Sequence, residues 1–181
     1  MKKIEFPANK IIAGIFSLLV VLAVLMSVVP AFAEGSGPMT VIPGLGRISN
    51  PTLTRMHQSE IGWFNDQAAL FQEADQLTAT FQSLIDAQDK KKHDTTVLKA
   101  ALNDYENKLV SARLAQTGGA SIIFSLDGFK VDGSVRDPLA AGQTVLDGRV
   151  ALNDVRVRLN SAMDTLSTSF KKWRNTVRFG E

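Results

Sequence analysis

Cysteine is absent from all 181 residues. That excludes disulfides, thiol nucleophiles, zinc ribbons, haem attachment through Cys-x-x-Cys-His and lipid attachment through a cysteine. Histidine is scarce, with only His57 and His93. No Gly-x-Ser-x-Gly elbow, phosphate-cradling glycine loop or Glu-x-x-His of carboxylate di-iron bundles occurs. The chain is therefore expected to carry no catalytic, cofactor-binding or metal residues and not to be an enzyme.

Excess charge is also missing once the N-terminus is set aside. Lys2, Lys3 and Lys10 precede an almost unbroken apolar run from Ile11 to Val29, then Pro30 and Ala31-Phe32-Ala33. This is the layout of a signal peptide cut after a small-x-small site, so residues 1–33 are expected to be removed near Ala33. Left uncleaved, a run of this length would serve as a membrane anchor. In both cases the body lies outside the cytoplasm, secreted or at the cell envelope. Removing Lys2, Lys3, Lys10 and Glu5 from 20 basic and 18 acidic residues leaves 17 of each. A neutral mature chain has no basic footprint for nucleic acid, which is excluded as a partner.

Residues 34–50, EGSGPMTVIPGLGRISN, hold four glycines and two prolines and read as a flexible linker. Residues 51–181 form the expected domain. Asn50 before Pro51 is a cap followed by a first-turn proline. From there Met56, Trp63, Leu70, Leu77 and Leu84 recur every seven residues, with Ala74 and Phe81 at the offset position. Ile61, Phe64, Phe71 and Ile85 widen this stripe, and Glu60, Gln67 and Gln88 interrupt it. The spacing predicts a first helix over about 51–88, roughly 55 Å long.

QDKKKHDTT breaks it, and Asp94 or Thr95 caps a second helix striped by Leu98, Ala101, Leu102, Tyr105, Leu109, Ala112 and Leu114. Gly118-Gly119 costs about 2 kcal/mol relative to alanine; packing offsets that, and the helix is expected to continue through them. Asp137-Pro138 starts a third helix, with Leu139, Val145, Leu146, Leu152, Val155, Leu159, Ala162, Met163, Leu166, Phe170 and Trp173 on its stripe. The mostly alternating three- and four-residue steps from Leu152 to Trp173 are a coiled-coil seam pattern. The expected fold is all-α: an elongated antiparallel three-helix bundle, up-down-up, with a hairpin-like connector between helices 2 and 3. Wide stripes on long helices also favour homo-oligomerisation.

The order of a helix containing Trp63-Phe64, then HDTTVLKAALNDYE, GFKVDGSVRD and a helix carrying FKKW resembles a family of secreted bacterial all-helical proteins of unknown function. Relatives carry an Asp-Thr-Ser-x-Leu-like helix start and a Gly-Phe-Asp-x-x-Gly-x-Val-x-Asp-like connector. The resemblance covers most of 51–175, and the connector is its specific part. It implies a long helical bundle and export, and no activity. Lys130 stands where the family pattern has an acidic residue, which counts against a metal there.

The connector LDGFKVDGSVRDP invites a calcium reading that fails on spacing. Counted from Asp127, the EF-hand ligand positions 3, 5 and 12 hold Phe129, Val131 and Pro138, and the glycine position holds Asp132. Asp132-Gly133 reads as a two-residue reverse turn and Asp137 as a helix cap, with Phe129 and Val135 folded over Leu53 and Met56. Asp127 has no assigned role. His57 and His93 are expected at opposite ends, as solvated or capping residues. Asp66/Glu73 and Asp147/Asp154 read as solvated faces, and Trp63 and Trp173 as core.

One end carries a candidate binding tip: Lys90, Lys91, Lys92, Lys171, Lys172, Trp173, Arg174 and Arg178, partly neutralised by Asp86, Asp89 and Asp94. Its partner would be an anionic envelope polymer or a lipid surface; a protein partner is the other class considered. The expected function is an exported, non-enzymatic structural or interaction module at the cell envelope. The alternative is a periplasmic-type stress or chaperone-like binder of unfolded chains, which requires a large exposed apolar patch.

Overall fold

Three long helices form where the apolar spacing is helical and the caps are strong. In a computed structural model describing residues 37–178, they are α1 (Asn50–Lys90), α2 (Thr96–Ile123) and α3 (Pro138–Arg178). The leader, residues 34–36 of the linker and the side chain of Arg178 lie outside the described residues. No described helix is long and apolar enough to cross a membrane.

Helix boundaries follow local chemistry. α1 begins at Asn50, one residue before the expected start, so Ser49 takes the cap position and its hydroxyl meets that of Thr52 at 2.9 Å. It ends in a Schellman motif: His93 N–H donates to the Gln88 carbonyl and Lys92 N–H to that of Asp89. Lys92 occupies the left-handed position (φ 60°) usually given to glycine. Asp94 accepts the Thr96 N–H at 2.9 Å at the start of α2, and Asp137 accepts those of Leu139 and Ala140 at the start of α3.

α2 runs through Gly118 and Gly119 and stops at Ile123, so Leu126 lies beyond it. The two glycines differ. A Cβ on Gly118 would meet nothing within 4 Å, whereas one on Gly119 would lie 3.3 Å from the Ala151 Cβ. Gly118→Ala is therefore expected to stabilise the fold by about 0.5–1 kcal/mol, while Gly119→Ala gains less or loses. Urea midpoints of the two variants check this.

Residues 39–49 are not a linker. Met39–Ile42 (β1) and Gly46–Ser49 (β2) pair antiparallel, with Met39 opposite Ser49 and Ile42 opposite Gly46. Pro43 and Gly44 (φ 83°) occupy the turn closed by the Leu45 N–H to the Ile42 carbonyl, the positions a Pro-Gly turn favours. Ile42 is buried against α3, where a Cβ on Gly142 would fall 2.6 Å from its side chain. Glycine at 142 is what admits Ile42.

The chain divides into two compact units, each containing segments of all three helices. One holds 70–110 and 158–178. Its core includes Phe71, Leu77, Phe81, Tyr105, Leu166 and Phe170, with Phe81 and Phe170 edge to face at 5.9 Å. The other holds 37–69 and 111–157, and there Ile42, Leu53, Met56, Phe129, Ala141 and Val145 cluster, with Val135 packed against them. Phe129 and Val135 thus cover Leu53 and Met56 as expected.

Two expected stripe members are exposed. Leu114 is 70% and Leu139 56% exposed. Leu114 sits two residues from buried Ala112, about 200° round the helix, so it points away from the packed face.

Candidate functional site

The candidate tip is built on the turn between α1 and α2. Lys90 closes α1, and Lys91, Lys92 and His93 form the turn, all exposed. His93 caps α1 through its backbone N–H to the Gln88 carbonyl, and its Nδ1 lies 2.8 Å from Gln88 Oε1. On α3, Lys171 and Lys172 are exposed beside Trp173, whose indole N–H donates to the Asp94 carbonyl at 2.9 Å. That bond brings the two lysine groups to one place in the 70–110/158–178 unit.

The acids there are engaged locally. Asp89 takes an ion pair from Lys99 at 2.7 Å and a hydrogen bond from the Thr95 hydroxyl. Those bonds, Lys99 first, hold its carboxyl below the usual aspartate range. Asp94 is held low by the backbone N–H of Thr96. Asp86 accepts from Gln82 at 2.8 Å. Asp89 is paired with Lys99, whereas Asp86 and Asp94 meet only uncharged donors and offset part of the charge of Lys90, Lys91, Lys92, Lys171 and Lys172.

Two members of the expected tip differ. Trp173 is only 4% exposed and stacks on Phe170 at 6.1 Å, so it fastens α3 to the turn and offers no ring to a ligand. Arg174 is half-buried with an interaction of its own.

A second polar cluster lies in the 37–69/111–157 unit, on the α1 stripe. His57 is not solvated: it is 2% exposed, stacked on Phe129 with centroids 4.2 Å apart. Its Nε2 lies 2.8 Å from the Ile123 carbonyl, which only accepts, so Nε2 carries the proton. A side chain from α1 thereby caps the C-terminal end of α2. Glu60 and Gln67 are equally buried. Glu60 Oε1 accepts from Arg149 Nε at 3.0 Å, and Gln67 Nε2 donates to the Leu152 carbonyl at 2.8 Å. Glu60 Oε2 and Gln67 Oε1 have no hydrogen-bond partner among the described residues. Burial pushes the Glu60 carboxyl up to about 8, against the charge and hydrogen bond of Arg149.

Trp63 is half-buried, with the Arg156 guanidinium 5.8 Å from its ring centroid, so it is not a full core residue. The connector aspartates do not converge. Asp132 accepts from the Ser134 N–H and hydroxyl, Asp137 caps α3, and Asp127 is exposed, contributing its carbonyl to the Thr144 hydroxyl at 2.9 Å. Among the described residues no three His, Asp or Glu side chains come together as a metal site would require. Asp66, Asp147 and Asp154 are exposed, as expected, and Glu73 is half-buried.

The sequence signal for the second cluster is polar residues on an apolar stripe: Glu60 and Gln67 stand out as interruptions. Arg149, 89 residues away, has no such signal. No family model, curated protein or solved structure matches the chain.

Proposed function

We propose that this chain is an exported, non-enzymatic helical module that binds an anionic component of the cell envelope, polymer or lipid, through the lysines of its α1–α2 turn and of α3. Its helices would run up, down and up as an antiparallel bundle, in keeping with the secreted helical family it resembles. The observation that carries the reading is the Trp173–Asp94 hydrogen bond, which gathers Lys171 and Lys172 beside Lys90, Lys91 and Lys92. A charge cluster on a chain that is neutral overall after loss of its leader is a local attractant, without a general field.

Reversing Lys90, Lys91, Lys92, Lys171 and Lys172 to glutamate is expected to abolish adsorption to envelope fractions. Each lysine near an anionic surface contributes about 1 kcal/mol, so a loss of at least roughly two orders of magnitude in affinity is expected. Wild-type binding should also weaken as salt rises. Circular dichroism verifies that the variant folds, and unchanged binding by the folded variant rejects the reading.

The chaperone-like alternative draws support from exposed Val110 and Leu114 on α2 and Val150 and Val157 on α3. These faces are equally available to a second copy of the chain. Burial of the long stripes speaks against a client groove, and suppression of client aggregation by the purified chain is the measurement that would favour it.

A further inference from the structure

Glu60 is wedged where segments of all three helices of its unit meet. It is 2% exposed, its Oε1 accepts from Arg149 on α3, and its Oε2 has no hydrogen-bond partner among the described residues. A Cβ on Gly148 would lie 3.2 Å from that Oε2 and 3.2 Å from the Ile123 side chain, so the carboxyl and the last residue of α2 both lie against the α3 backbone at Gly148. Three residues earlier on α1, His57 holds the Ile123 carbonyl and stacks on Phe129 of the connector. One face of α1 therefore fastens both the end of α2 and the connector that follows.

We propose that this cluster is a proton-controlled latch: with Glu60 protonated the end of α2 and the connector are held, and loss of that proton loosens them. Among the described residues the charged group set against Glu60 is Arg149 from α3; His57 lies one turn earlier on α1, and α2 presents Ile123. A neutral acid uses Oε1 to accept from Arg149 and leaves one uncharged hydroxyl without a partner. An ionised one leaves a buried anionic oxygen without a donor, which is the costlier state. The direction follows. Burial raises the carboxyl from 4.5 to about 8, so its contribution is complete below the ordinary glutamate range and is lost as pH rises through about 8. An exported chain meets external pH directly, so alkaline surroundings would free the connector. The latch is independent of the lysine tip.

Hydrogen exchange of the full chain at pH 6 and pH 9, corrected for the intrinsic rate, tests this. Protection of residues 120–137 is expected to fall at least roughly tenfold more at pH 9 than that of residues 98–109. Glu60→Gln is expected to remove the difference. Equal pH dependence in wild type and Glu60→Gln overturns the latch. So does a wild-type chain whose two regions respond alike, a result that needs no variant to fold.

Discussion

Gly128→Ala is expected to destabilise the protein by more than about 4 kcal/mol, at the far end of what one substitution does. Two effects combine. Gly128 has φ 77°, a left-handed conformation costing about 1–2 kcal/mol for a residue with a Cβ. That Cβ would also fall 1.9 Å from the Ala141 nitrogen and 2.5 Å from its Cα. These are main-chain atoms of the first turns of α3, and no rotamer change moves them aside. Relief requires moving Gly128 away from α3, against the bonds its carbonyl accepts from the N–H groups of Arg136 and Asp137, the last residues before α3, at 2.8 and 3.0 Å. Phe129, next in the chain, would leave the core with it. Gly133→Ala is the control: its φ is 79°, yet a Cβ there meets nothing within 4 Å. It should cost about 1–2 kcal/mol from conformation alone. Urea unfolding of the two variants measures the difference, and equal losses would mean that α3 does not press on Gly128.

The same stretch shows where sequence reasoning reaches and where it stops. Asp137-Pro138 and Asp94 are legible as helix starts because capping is decided within three residues. The Asp132-Gly133 turn is legible too, though displaced by one position. The Lys130 carbonyl accepts the Gly133 N–H, so Val131 and Asp132 are the central pair and Gly133 takes the following left-handed place. That is a three-residue hairpin loop. Gly128 has no local signature, since its constraint comes from a helix backbone thirteen residues on. Proline and glycine at 43–46 suit a linker as well as a hairpin. What decides for the hairpin is Ile42 finding the space at Gly142, a hundred residues away. Trp173 is legible from its stripe: two turns beyond Leu166 on α3 it reads as core in spite of its basic neighbours, and it is buried.

Arg149→Met and Glu60→Met are expected to differ sharply, although each removes half of one ion pair. The Arg149 side chain is 32% exposed and that of Glu60 3%. Without Glu60, the guanidinium reaches water and keeps a further interaction of its own. The two oxygens that needed donors are gone, so Glu60→Met should be neutral or stabilising, as replacement of buried ionic groups by well-packed apolar ones often is. Without Arg149, the carboxyl stays buried with no donor. Near pH 6 it escapes by holding its proton, and the loss is that of one charge-assisted hydrogen bond, about 1.5–3 kcal/mol. Near pH 9 holding that proton becomes costly, and the loss should grow to about 3–5 kcal/mol. The sign is that of a raised carboxyl: stability falls as pH rises through about 8. Urea unfolding of both variants at the two pH values gives four numbers. If Glu60→Met costs more than Arg149→Met at pH 9, the buried carboxyl is not the strained partner, and the interruption of the α1 stripe at Glu60 is a stabilising contact.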